Sequence, residues 1–122
     1  MPWFVKQEVF TPSMRALSAD ERRSHCDAHR TWLNAEREKG WRLYSGFLVD
    51  GQEQPGGGGL LIFEAPSYQS AHDWVTRDPM ILRGLVTWSL YAWRPVCADA
   101  LPVSQAWCCL LYTSPSPRDN TG

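Results

Sequence analysis

The chain has 122 residues and a mass of 13.9 kDa, with 43% apolar residues, 20% charged residues and a formal net charge of −1. This size suits one domain with a single core, and the nearly neutral charge gives no basic surface for a nucleic-acid partner. No apolar run approaches the ~20 residues that span a bilayer, and the first residues lack a signal-peptide pattern, so we expect no membrane partner and a cytoplasmic location.

The first half of the chain predicts two strands around a long helix, followed by a third strand. Residues 3–10 are rich in aromatic and β-branched side chains, which favours a first strand. Ser18 and Glu21 form a capping-box pattern and Gly40 provides a stop, so residues 19–39 are predicted to be helical. The side chains of residues 41–50 alternate between two faces with the period of a β-strand. The glycine-rich residues 51–58 predict a flexible connection to a third strand at residues 59–65.

The second half predicts one more helix and one more strand. Ser67 can cap a helix that runs to about Arg77, and Asp78-Pro79 interrupts it, because proline disfavours a helical conformation in the residue before it. Residues 80–84 predict a further turn, and residues 85–96 predict a closing strand. This βαββαβ order is typical of α+β proteins with a ferredoxin-like fold, in which a four-stranded antiparallel sheet carries both helices on one face. The alternation leaves apolar side chains on the other face, so we predict a homodimer that buries them.

His29 and Asp78 are the candidates for chemistry. A carboxylate that binds one imidazole nitrogen fixes the tautomer of the ring and leaves the other nitrogen to move a proton. Ser45 and Gly46, in the second strand, are candidates for substrate binding. Each candidate also has a purely structural alternative. His29 can be a hydrogen-bonded structural residue of the helix, Asp78 can serve only to end a helix, and Ser45-Gly46 can mark a β-bulge.

We predict no metal site. His25 and His29 share a helix face, but no third ligand has an assigned position, and Cys26 stands where a zincin motif carries glutamate. The four cysteines, Cys26, Cys97, Cys108 and Cys109, show neither a CxxC motif nor metal-binding spacing, so reduced thiols are expected.

Several short motifs, taken in order, resemble the YciI-like (YCII-related) family of the dimeric α+β barrel superfamily. The resemblance covers residues 3–96. It is carried by His29, Gly40, Ser45-Gly46, Gly59-Leu60-Leu61-Ile62, Asp78-Pro79 with Gly84, and Trp93-Arg94-Pro95. Phe47 departs from the pattern, since the family typically has a proline after the small-residue-glycine step.

The resemblance implies a dimer whose cleft, between sheet and helices, holds a His-Asp pair for acid/base chemistry without a metal or organic cofactor. His29 matches the family's histidine and Asp78 its acidic partner. We therefore predict a cofactor-independent lyase or isomerase for a small aromatic or enolisable compound. The alternative is a non-enzymatic dimer of the same fold that binds a small molecule or serves an accessory role.

The end of the chain has a different character. Residues 109–119, CLLYTSPSPRD, resemble the translation of a transposon-based sequencing adapter. We therefore predict that residues 109–122 are a non-native, disordered tail, and the alternative is a native Ser/Pro-rich disordered tail. Either interpretation gives a domain at residues 3–96, followed by a connector at residues 97–108 whose structure the sequence does not predict.

Overall fold

The computed structural model describes residues 1–99. In chain order, its elements are β1 (Trp3–Phe10), α1 (Pro12–Arg15), α2 (Ala19–Glu38), β2 (Leu43–Val49), β3 (Pro55–Glu64), α3 (Tyr68–Val75), α4 (Pro79–Leu82) and β4 (Val86–Trp93). None of the helices within residues 1–99 is long and apolar enough to cross a membrane. The predicted tail at residues 109–122, and residues 100–108 of the predicted connector, lie outside the described residues.

The four strands form one antiparallel sheet in the order β2-β3-β1-β4. Strand β1 is therefore central, and its Phe4 pairs with Phe63 of β3 and with Ala92 of β4. Paired residues point to the same face of a sheet and successive residues alternate, so Phe4 and Lys6 share a face with their partners. The predicted α+β, ferredoxin-like architecture is confirmed.

The helices cover one face of this sheet and enclose the main core. Its buried members come from the sheet, from the residue that follows β3, from α2 and from α3: Phe4, Leu33, Leu61, Phe63, Ala65, Ala71, Trp74, Val75 and Leu90. Trp74 stacks on Trp41 with ring centroids 4.2 Å apart and planes 10° apart. Large aromatic side chains remove the most apolar area from water, so this stack is a major contribution to stability.

Local signals in the sequence explain where the helices begin. Ser18 accepts a hydrogen bond from the backbone N–H of Glu21, and the Glu21 carboxylate accepts one from the N–H of Ser18, which completes the predicted capping box. Ser67 caps α3 through the N–H of Ser70. Asp78 caps α4, whose first residue is Pro79.

The structure differs from the sequence prediction at β3, which begins at Pro55 and so includes residues 55–58 of the predicted flexible connection. Glycine makes this possible by letting two backbones approach closely. Gly58 has φ +86, and a Cβ atom there would lie 2.0 Å from the carbonyl oxygen of Glu8. Short helix α1, which follows its N-cap Thr11, was also not predicted.

The face of the sheet opposite the helices carries exposed apolar side chains. Val9, Tyr44 and Tyr91 lie on this face, because they alternate with the helix-facing residues of their strands. Their exposed fractions are 46%, 51% and 60%. This is the surface through which we predict a homodimer.

Candidate active site

Helix α2 presents one side to the sheet, and His29 lies on that side. The residues of α2 that line the adjoining cavity are Cys26, His29, Arg30, Leu33, Asn34 and Arg37. Their spacing of three, four and seven residues is that of one helix face. Leu33 fixes this face by packing into the core, and the His29 side chain keeps 20% of its area exposed.

Asp78 lies between α3 and α4, with its carboxylate fully buried. The predicted role of Asp78-Pro79 as a helix break is correct, since Asp78 is the N-cap of α4 and Oδ1 accepts a hydrogen bond from the N–H of Met80 at 2.9 Å. The same carboxylate faces α2. Nδ1 of His29 lies 2.9 Å from both Oδ1 and Oδ2 of Asp78, so the structure brings the two predicted residues together.

Lys6 completes the surroundings of Asp78. Its side chain is 1% exposed, and Nζ donates a hydrogen bond of 2.9 Å to Oδ2 of Asp78. Nζ also lies 2.7 Å from Oε1 of Glu8, two residues further along β1. Burial of the carboxyl group favours its neutral form. The hydrogen bond from His29, the Lys6 charge and the N–H of Met80 outweigh that burial and hold the pKa of Asp78 below its ordinary value.

The ionised state of Asp78 determines the tautomer of His29. A carboxylate only accepts hydrogen bonds, so Nδ1 of His29 carries the proton in this contact. The other ring nitrogen, Nε2, is then available as a proton acceptor, and after it accepts a proton the nearby carboxylate stabilises the imidazolium. This arrangement is suited to general acid/base chemistry.

A cavity of about 940 Å³ adjoins the pair, between α2 and the part of the sheet formed by β1, β2 and β3. Its volume is that of a small-molecule site, and most of its wall is apolar, with Leu33, Leu43 and Phe47 among the lining side chains. His29 lines this cavity, whereas His25, one helical turn earlier, does not. A small apolar molecule can therefore reach the imidazole.

Ser45 and Gly46 both line the cavity from β2. Ser45 pairs with Leu61, which in turn pairs with Lys6, so Ser45 and Lys6 share the helix-covered face of the sheet. Within residues 1–99, no hydrogen bond joins Ser45 to His29 or Asp78. The structure thus places the predicted substrate-binding residues in the wall of the cavity, apart from the pair.

Sequence reasoning missed Lys6 and Glu8. Both lie at alternate positions after Phe4, on the face of β1 that points to the helices, and both line the cavity. A lysine at an inward position of an apolar strand was the available signal, because lysine is almost never fully buried unless it is paired.

The structure also bears on two other kinds of chemistry, a cysteine nucleophile and a histidine metal site. Burial raises the pKa of the Cys26 thiol, and the Asp27 carboxylate adds to the effect, so this cysteine keeps its proton and is a poor nucleophile. His25 contacts Arg83, with Nδ1 2.9 Å from Nη1. No group of three or more His, Cys, Asp or Glu residues among the described residues could hold a metal ion.

Comparison with known proteins gives a fold and a family. A model of the YCII-related domain matches residues 8–94. No curated protein matches the chain. One similar solved structure is 5-chloro-2-hydroxyhydroquinone dehydrochlorinase (TftG) from Burkholderia phenoliruptrix AC1100, in complex with 2,5-dihydroxybenzoquinone. It is 22% identical, with a TM-score of 0.54 over 75% of this chain and 92% of the other.

At 22% identity, the likeness to the dehydrochlorinase supports the fold and no more. The match to the family model carries more weight, because it covers most of the chain. Residues 8–94 make up well over half of the chain and include the helix with His29, the strand with Ser45 and the turn with Asp78. The predicted family is confirmed: the chain belongs to the YCII-related domain family.

Proposed function

We propose that this protein is a cofactor-independent acid/base enzyme, of lyase or isomerase type, which acts on a small aromatic or enolisable compound. The observation that carries the proposal is the contact of 2.9 Å between Nδ1 of His29 and a buried, ionised Asp78. His29 lines a largely apolar cavity of suitable size, and Asp78 is buried behind it. An acid/base pair beside such a cavity is a recognised sign of an active site.

In the proposed reaction, Nε2 of His29 takes a proton from a hydroxyl group or an acidic carbon of the substrate. The electron pair stays on the substrate as an enolate or phenolate. In an isomerisation, it takes the proton back from Nε2 at another atom. In an elimination, an enolate expels a leaving group as an anion from the neighbouring tetrahedral carbon, and the proton on Nε2 passes to water. On an aromatic ring, the phenolate first takes the proton back at the carbon that bears the leaving group, which makes that carbon tetrahedral, and deprotonation of a second hydroxyl group then expels the anion. Asp78 orients the ring and stabilises the imidazolium.

This chemistry suits substrates that are already acidic. A positioned general acid or base contributes roughly 10²- to 10⁴-fold in rate, which is enough for an enolisable compound and little for an unactivated bond. The dehydrochlorinase of similar fold acts, by its name, on a chlorinated hydroxyhydroquinone. That similarity supports an aromatic or quinone-like substrate here, with Ser45 and Gly46 proposed to contact it from β2.

Turnover of a panel of compounds tests the proposal. The panel holds 5-chloro-2-hydroxyhydroquinone, other hydroxylated hydroquinones and quinones, and simple β-diketones, with product followed by absorbance and by chloride release. His29→Gln should lower turnover by roughly 10²-fold or more and leave the melting temperature nearly unchanged. His25→Gln is the matched control, since His25 lies on the same helix outside the cavity wall, and it should keep full activity.

Two results would count against the proposal. Unchanged turnover in a folded His29→Gln variant would remove the histidine from the mechanism. Binding of panel compounds by the wild-type protein, without any product, would favour the alternative of a non-enzymatic ligand-binding or accessory dimer.

A further inference from the structure

Glu8 carries a mostly buried carboxylate that the proposed acid/base chemistry does not use. Its side chain is 10% exposed and lines the same cavity as His29. Within residues 1–99, Oε1 of Glu8 is buried and accepts no hydrogen bond. Nζ of Lys6 lies 2.7 Å away, so the two groups form an ion pair without a directional hydrogen bond. Unsatisfied buried acceptors are rare in native proteins and require an explanation.

The charges around Lys6 do not balance. One ammonium serves two carboxylates, since Nζ lies 2.9 Å from Oδ2 of Asp78 and 2.7 Å from Oε1 of Glu8. Asp78 also receives hydrogen bonds from His29 and from the N–H of Met80. Glu8 is therefore the carboxylate with hydrogen-bonding capacity to spare, and burial makes a donor from a ligand favourable there.

The sheet leaves Glu8 open to the cavity. Gly59 lies directly across from Glu8 on β3, and a Cβ atom on that glycine would lie 3.1 Å from Cγ of Glu8. The neighbouring Gly58 also lacks a side chain, and both glycines line the cavity. No β3 side chain at these positions therefore stands between the Glu8 carboxylate and a bound molecule.

We propose that Glu8 binds the substrate by accepting a hydrogen bond from one of its hydroxyl groups, while His29 takes a proton from another position. The site would then select compounds with two donor groups, such as a dihydroxylated aromatic ring or the enol of a hydroxyketone. The part played by His29 rests on the proposed function, whereas binding by Glu8 does not require turnover. Glu8 is thus a residue that determines specificity.

Binding measurements with simple probes test this inference. The probes are catechol, resorcinol and hydroquinone, each beside its monomethyl ether, which lacks one donor and keeps the ring. By calorimetry, the wild-type protein should bind at least one dihydroxybenzene about tenfold or more tightly than its ether, because a hydrogen bond to a charged acceptor contributes about that much. Glu8→Leu should reduce this preference to about twofold or less.

Gln7→Leu is the matched control, since Gln7 is the neighbouring residue on the other face of β1 and does not line the cavity, and it should keep the wild-type preference. Should Glu8→Leu fail to fold, Glu8→Gln keeps the side-chain size and should weaken the preference severalfold, because a neutral acceptor replaces a charged one.

A preference for the dihydroxybenzene that survives unchanged in these variants overturns the inference. Wild-type protein that binds none of the probes at millimolar concentration overturns it as well. A wild-type preference among these probes, together with no turnover of any compound in the panel described above, defeats the proposed function alone.

Discussion

Lys6 places an ammonium group in the interior of the domain, where its side chain is 1% exposed and contacts both Asp78 and Glu8. A buried ion pair gains little over an apolar replacement of the whole pair. Removal of one partner is different, because it leaves the other charge buried and uncompensated. Lys6 therefore compensates the charges of Asp78 and Glu8, and its removal alone should be costly to stability.

Replacement of Lys6 by methionine keeps the apolar length of the side chain and removes the charge. The variant leaves two buried carboxylates without their shared cation, so we expect it to lower the free energy of unfolding by about 3–5 kcal/mol. Urea denaturation at neutral pH measures the loss. Arg23→Met is the control, because Arg23 and Asp20 form an exposed surface pair, and it should leave stability nearly unchanged. A folded Lys6→Met variant with wild-type stability would contradict the predicted dependence on Lys6.

Asp78 should make part of the protein's stability depend on acid pH. Its pKa in the folded protein lies below the ordinary value, so the unfolded chain takes up the proton first as the pH falls. The contribution of ionised Asp78 to stability is therefore complete above about pH 5 and is lost as the pH falls through the folded-state pKa.

The variant Asp78→Asn has no carboxyl group at this position and so lacks this ionisation. The difference in unfolding free energy between the wild-type protein and Asp78→Asn should shrink from pH 5 toward pH 2, and urea denaturation across this range measures it. A constant difference would show that Asp78 does not titrate with a lowered pKa.

The residues of the site were only partly predictable from the sequence. His29 and Asp78 could be proposed from a helical histidine and an acidic residue before Pro79. Lys6 could not be linked to Asp78, because the two lie 72 residues apart and meet only through the register of β1 beneath the turn between α3 and α4. No local pattern encodes such a contact. The same register determines the position of Glu8.

Elements with strong local signals were predicted well, and those that depend on packing were not. Helix α2 begins where the Ser18 capping box predicts and ends at Glu38, one residue before the predicted end and two before the predicted stop at Gly40. Strand β3 begins earlier than expected, because a run of glycines has no side-chain pattern that indicates a strand. Its pairing with β1 depends on close contact between the backbones, as at Gly58 and Glu8.

Gly58→Ala tests the start of β3. Gly58 has φ +86, and the added Cβ atom would lie 2.0 Å from the Glu8 carbonyl oxygen, so strand and partner must separate. We expect a loss of more than about 1 kcal/mol in the free energy of unfolding. Gly51→Ala is the matched control, since a Cβ atom there meets nothing within 4 Å. Equal stability of the two variants by thermal or urea denaturation would mean that the backbone at Gly58 does not lie close against β1.

The whole molecule has two unlike faces. The helices bury one face of the sheet, while the other exposes large side chains that include Val9, Tyr44 and Tyr91. A sheet face of this kind is a typical protein interaction surface, and a second copy of the same chain can bury it with two-fold symmetry. Two such sheets packed face to face would form the dimeric α+β barrel that the family resemblance implies.

Sedimentation equilibrium tests this dimer directly. The wild-type protein should have twice its chain mass of 13.9 kDa. Tyr91→Glu places a charge in the exposed sheet face, where burial against a second copy would be costly, so this variant should sediment as a monomer or dissociate at much lower concentration. Leu82→Glu is the control, because Leu82 is 70% exposed on α4, on the side of the helices, and it should remain dimeric. A stable wild-type monomer would mean that the exposed aromatic side chains of the sheet are not buried by a second copy.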